Sequence, residues 1–211
     1  MEQIQHELKS SRTKHLGWVA LVLLCMALFL PGLFKVPVTD VDEARFAQAS
    51  KQMVETHDYW HINIQNKPRH LKPPAIYWLQ SVITKTTQKA PYNQIFSYRL
   101  PSFFAATATT CLIFLLCAPA FGRKTAFIAS VVFASTLIVA FESSFSTTDA
   151  CLMLSIFLMQ WALGQVYLSH RNNHPSHYRW PIIFWGSMAV GIFLKGIAPI
   201  FALGTITALC L

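Results

Sequence analysis

Charge is scarce in this chain. Asp, Glu, Lys and Arg together make up 12% of its 211 residues, against 54% hydrophobic side chains, a balance that excludes an ordinary soluble domain. Acids are scarcer than bases, 9 against 17, giving a net charge of +8. The cations are scattered and form no run, so a nucleic-acid partner is excluded and contact with anionic lipid headgroups or phosphates is the better use for them. Cysteine is sparse and misplaced for chemistry. Cys25, Cys111, Cys117, Cys151 and Cys210 all sit in apolar stretches with no CxxC among them, which points to neither a disulfide framework nor a thiolate metal site. No internal repeat, low-complexity tract or soluble domain is present.

Long apolar runs are what the chain has instead. Residues 16 to 34, 100 to 122, 125 to 141 and 150 to 169 carry no charge, and the stretches 180 to 194 and 196 to 211 are parted only by Lys195. A helix needs ~20 apolar residues to cross a bilayer. The runs predict six spans, at about 16–34, 98–119, 125–142, 149–169, 180–196 and 197–211, the last incomplete. The expected fold class is all-α, a polytopic transmembrane helix bundle. The first run is too long for a typical signal peptide and lacks a small-x-small cleavage site, since Phe34, Lys35 and Val36 follow it, so it reads as an uncleaved anchor. Lys9, Arg12 and Lys14 place residues 1–15 in the cytoplasm by the preference of basic flanks for that side. Alternation then puts the 35–97 loop, the 142–149 turn and the vicinity of Lys195 outside. The final run stops without a polar flank, as in the N-terminal part of something longer.

The outer loop opens with three carboxylates, Asp40, Asp42 and Glu43, followed by Arg45 and by Phe46, Ala49 and Met53 at helical spacing. An amphipathic surface helix with acids at its start is expected there. Asp40 also reads as a plain N-cap with Glu43 closing a capping box, which leaves Asp42 free for a function. Further on, Lys72 precedes the stiff pair Pro73-Pro74 and the aromatic segment Ile76 to Val82, holding a cation at headgroup level. Asp149 and Lys195 stand where a bilayer makes charge costly. Each has an ordinary explanation, Asp149 as an anion at a helix N-terminus and Lys195 as a snorkelling boundary residue. Both nevertheless map to the same face as Asp42 and Lys72, and ionisable residues at such depth are candidates for function.

The ordered set Asp42-Glu43-Ala44-Arg45, Lys72-Pro73-Pro74 with Tyr77-Trp78, Arg99-Leu100-Pro101-Ser102, Thr148-Asp149 and Leu194-Lys195-Gly196 resembles the N-terminal half of GT-C-fold glycosyltransferases. More narrowly it resembles the bacterial branch related to protein O-mannosyltransferases and the lipid A aminoarabinose transferase. The resemblance implies a GT-C-like bundle with interfacial helices in a first periplasmic loop, in a bacterial inner membrane. It implies a polyprenyl-phosphate-linked sugar donor and an envelope lipid, glycan or protein acceptor, with membrane lipids as further partners. It makes Asp42, Glu43 and Asp149 the catalytic carboxylates and Arg45, Lys72, Arg99 and Lys195 the donor-phosphate cations, with inversion at the sugar carbon. No cofactor is firmly implied. Leu71 stands where that branch has a Glu able to ligate a metal, which makes a divalent metal doubtful, and Phe46 stands where many relatives have Tyr. His57, His61 and His70 with Asp58 offer a second set of metal donors if residues 57–61 are helical. His170, His174 and His177 read as a solvated loop. Two alternatives of other classes remain at this stage: a transporter or channel using Asp149 and Lys195, and a non-catalytic, truncated membrane partner.

Overall fold

The first apolar run forms a single helix, α1 (Glu2–Lys35), which accommodates Pro31 near its end. The computed structural model describes residues 2–172 and 175–197, with side chains described from Leu16 onward. His174, Cys210 and the expected sixth span beyond Ile197 lie outside the described residues. After α1 come α2 (Val41–Thr56), a two-stranded antiparallel hairpin of β1 (Asn63–Ile64) and β2 (Lys67–Pro68), and α3 (Ala75–Thr87). The bundle continues with α4 (Phe96–Phe121), α5 (Arg123–Ser135), α6 (Leu137–Glu142), α7 (Asp149–Arg171) and α8 (Arg179–Lys195). Among the described residues the fold is all-α apart from that hairpin, and the chain is a multi-pass membrane protein. Among the described residues, Leu16–Lys35 of α1, all of α4 and all of α7 are long and apolar enough to cross a bilayer.

The apolar run 125–142, expected as one helix, is broken in two. The hydroxyls of Ser135 and Thr136 donate back to the carbonyls of Val131 and Val132 at 2.8 and 2.9 Å, competing with the backbone ladder as Ser and Thr do in helices. Thr136 adopts an extended backbone (φ −62°, ψ 127°), and the chain restarts as the six-residue α6. α6 packs on α1, α4 and α7.

Helix α4 is the centre of the assembly, touching α1, α3, α5 and α7. Small side chains at its interfaces, Ala105 and Ala106 with Ala134 of α5 and Ala150 of α7, allow the close helix approach that drives association in lipid. One core joins α2, α3, α4, α7 and α8 through Phe46, Ala49, Met53, Ile76, Tyr77, Ala105, Cys151 and Leu194. The outer-loop helices are therefore packed parts of the bundle.

Residues 143–148 form a fully buried connection into α7, and α1 approaches it at Gly32. A Cβ on Gly32 would sit 2.0 Å from Ser144 Oγ and 2.5 Å from Ser144 Cβ, well inside contact distance. Gly32→Ala is expected to destabilise the fold by about 1–3 kcal/mol through overpacking. Thermal unfolding in detergent should show a lower midpoint for Gly32→Ala and partial recovery in Gly32→Ala/Ser144→Gly; an unchanged midpoint would mean the contact relaxes freely.

Candidate active site at the loop end of the bundle

The loop end of the bundle is organised by the first turn of α2. Asp40 is its N-cap, with its carboxylate accepting from Asp42 N at 3.0 Å, as an N-cap acceptor should. The expected capping box does not close. Glu43 lies three residues before Phe46 and seven before Ser50, so it belongs to the buried stripe of the helix. Asp42, about 100° away around the helix axis, faces outward and is 53% exposed.

Glu43 and Arg99, expected as a catalytic carboxylate and a phosphate-binding cation, are found paired with each other in the interior. Glu43 and Arg99 both have 0% side-chain exposure and form a bidentate pair, Arg99 Nε to Glu43 Oε1 at 2.7 Å and Nη2 to Oε2 at 3.0 Å. The rest of the guanidinium caps the end of α1, donating from Nη1 to the carbonyls of Gly32 at 3.0 Å and Val36 at 2.7 Å. A cation at a helix C-terminus satisfies carbonyls that lack intrahelical partners. Neither Glu43 nor Arg99 has an atom open to a ligand in this arrangement, because each is consumed in joining α1, α2 and α4. The network extends further. Ser146 N donates to Glu43 Oε1 at 3.0 Å, Gln80 Nε2 donates to Ser146 Oγ at 2.9 Å, and Ser50 Oγ donates to Gln80 Oε1 at 2.7 Å. All of these side chains are buried, so the outer-loop helices are fastened to the bundle by satisfied polar groups, which in a low-dielectric interior specify one arrangement.

Around Asp42 the picture is the opposite, an exposed carboxylate ringed by cations. Arg45 Nη1 lies 3.5 Å from Asp42 Oδ1, one turn along the same helix. Arg69 Nη2 lies 3.9 Å from the same oxygen. The hairpin delivers Arg69, whose backbone N–H donates to Ile62 O at 2.7 Å just after β2. Its Nε donates to Tyr77 Oη at 2.8 Å, and its guanidinium lies 5.6 Å over the Phe46 ring. Burial pushes the Tyr77 phenol up from its ordinary pKa, and the Arg69 bond only partly opposes that, so the phenol keeps its proton. Lys72 is half-buried three residues later, in the Pro-Pro entry to α3, and has no ion pair among the described residues.

Asp149 and Lys195 meet. They are the first residue of α7 and the last of α8, and they form an ion pair through Lys195 Nζ and Asp149 Oδ1. Each charge complements the dipole of its own helix end. Glu142, at the end of α6, lies within electrostatic range of Asp149, Lys195 and Asp40, and its carboxylate accepts from Thr147 Oγ1 at 2.9 Å.

The histidine set of the outer loop does not assemble. α2 stops at His57, in left-handed backbone at φ 58°, so His57 and His61 share no helix face. Asp58 instead closes the turn, accepting from the backbone N–H of His61 and Trp60 and from the His61 ring at 2.9 Å. These bonds, the His61 N–H foremost, hold its carboxyl below the usual range. Leu71, next to Lys72, brings no donor atom. The described residues contain no group of three or more His, Cys, Asp or Glu side chains arranged to hold a metal.

Sequence reasoning passed over Arg69 as a site residue, because its place depends on the hairpin. The turn at Gln65-Asn66 has no glycine to announce it, although Gln65 takes φ 56° there.

Helix order, an outer loop packed as helices, and carboxylates with cations gathered at one end define a membrane fold of the GT-C class. Two solved structures of ArnT from Cupriavidus metallidurans share it. The apo form superposes with a TM-score of 0.76 over 93% of this chain and 36% of that one, and the form bound to undecaprenyl phosphate with 0.77 over 92% and 35%, both at 19% identity. Residues 71–210 match the family described as dolichyl-phosphate-mannose-protein mannosyltransferase, and the chain belongs to that family. Among curated relatives, the undecaprenyl phosphate-alpha-4-amino-4-deoxy-L-arabinose arabinosyl transferase of Aeromonas hydrophila is 31% identical over 84% of this chain and 31% of its own length. The putative mannosyltransferase YkcB of Bacillus subtilis is 25% identical over 72% of this chain and 21% of its own length. The chain thus spans about a third of the first of these relatives.

Proposed function

We propose that this chain carries the donor-binding and catalytic end of a polyprenyl-phosphate-dependent glycosyltransferase, working on the periplasmic face of a bacterial inner membrane. The carrying observation is the exposed Asp42 carboxylate set between Arg45 and Arg69. In such a transfer the bond between the sugar carbon and the phosphate oxygen breaks, and the electron pair leaves with the phosphate. Arg45 and Lys72 stabilise that developing charge. The acceptor oxygen bonds to the sugar carbon from the opposite side, and Asp42 takes its proton. Asp149 and Lys195 act as an ion pair beside this site. Glu43 and Arg99 position α2 and touch no substrate.

An apolar crevice of about 410 Å³ between α7 and α8, lined by Cys151, Leu154, Ile183 and Val190, starts two residues from Asp149 and suits part of a prenyl chain. The acceptor we favour is an envelope lipid or glycan such as lipid A. No step is routed through a metal, since Leu71 and the dispersed histidines do not fit one. The pairing of Asp149 with Lys195 counts against a transport pathway, because each neutralises the other.

The test is transfer from a labelled polyprenyl-phosphate sugar in membranes made with and without the complete gene. Label should enter extractable envelope lipid or glycan only when the gene is present. Equal labelling in both preparations would overturn the reading.

A further inference from the structure

Arg69 has charge to spare. Its side chain is 7% exposed, and a buried cation normally requires a close, hydrogen-bonded counter-charge. The nearest one is Asp42 Oδ1, at 3.9 Å from Nη2, beyond hydrogen-bond length. Nε is committed to Tyr77 Oη, and among the described residues neither Nη atom makes a hydrogen bond. The group is nevertheless firmly held. The backbone bond from Arg69 N to Ile62 O fixes its root, the Phe46 ring lies under its plane, and the phenol fixes the fork. A guanidinium locked at one edge with its other edge directed to the carboxylate side is preorganised for a tetrahedral oxyanion, which takes two parallel N–H donors.

We propose that Arg69 binds the phosphate of the lipid-linked donor through its Nη edge, as a buried partner to Arg45 and Lys72. The assignment rests on the donor class proposed above. Tyr77 and Phe46 are then positioning residues that act through Arg69. Arg45 is 52% exposed and pairs with Asp42 within its own helix, so its charge is the more screened by solvent, and Arg69 sets where the phosphate stops.

The experiment measures binding of polyprenyl phosphate, and of the uncharged polyprenol of the same length, to the protein made from its complete gene and purified in detergent. Arg69→Gln should weaken binding of the phosphate by about 10–100-fold, the size of a charge-assisted hydrogen bond or pair of them, and leave polyprenol binding unchanged. Arg69→Lys should fall between, keeping the charge and losing the fork. Tyr77→Phe, which leaves the charge intact, should weaken only the phosphate and by less than Arg69→Gln. If Arg69→Gln binds polyprenyl phosphate as tightly as the unmodified protein, the proposal fails while the glycosyltransferase reading stands. If Arg69→Gln and Arg69→Lys weaken both ligands equally, the role is structural and the proposal also fails. An unmodified protein that does not prefer the phosphate to the alcohol would sink the donor class itself.

Discussion

Asp42→Asn is expected to lower sugar transfer by about 10²–10⁴-fold, the usual contribution of a positioned general base, while polyprenyl phosphate still binds. Asn keeps the size and one acceptor oxygen of Asp and cannot take the proton of an acceptor hydroxyl. The substitution costs the fold little. Asp42 is more than half exposed; its pair with Arg45 is a surface pair of the kind that contributes under about 1 kcal/mol, and Arg69, 3.9 Å away, makes no hydrogen bond to it. Asp40→Asn is the matched control. Asp40 caps α2 through Asp42 N, and Asn caps as well as Asp, so that variant should transfer at close to the unmodified rate. Initial rates in membranes, normalised to folded protein, separate the two. Undiminished transfer by Asp42→Asn would remove it from the catalytic role, and an equal loss in both variants would assign the effect to the start of α2.

Much of this arrangement can be read in the sequence, and the rest depends on long-range geometry. The apolar runs give α1, α4 and α7 directly, because length and lack of charge are enough to identify a span. The break in the 125–142 run had a local signal, the adjacent Ser135 and Thr136, which a hydropathy argument overlooks because neither residue is charged. The separation of Asp42 from Glu43 was also legible. Glu43, Phe46, Ser50 and Met53 follow one helical face, so once Phe46 and Met53 are placed inward Glu43 must go with them and needs a buried partner. What the order of residues did not reveal is which partner. Arg99 lies 56 positions away, and Lys195 lies 46 positions from Asp149; only the packing of α4 against α1 and of α7 against α8 brings these charges together. The site around Asp42 depends in the same way on a hairpin of two-residue strands, too short to leave a periodic pattern.

Glu43→Gln should therefore act on the fold where Asp42→Asn acts on the chemistry. Glu43 accepts three hydrogen bonds, two from Arg99 and one from Ser146 N, and Gln would turn an N–H₂ group toward one of those donors. The guanidinium would remain buried with no counter-charge, a change that costs about 3–5 kcal/mol when one partner of a buried pair is removed. That is a large share of the roughly 5–15 kcal/mol that holds a typical domain together. Folded yield in membranes and resistance to proteolysis in detergent should both drop sharply. Arg99→Lys should fall nearly as far. A single ammonium cannot meet both carboxylate oxygens and the carbonyls of Gly32 and Val36, so α1 loses its cap as well as α2 its anchor. A direct role for Glu43 in the reaction would show the reverse pattern, a folded and stable Glu43→Gln protein without transfer. Because the carboxylate has no exposed surface and no unpaired oxygen, the expected order is loss of structure first, with loss of transfer following from it.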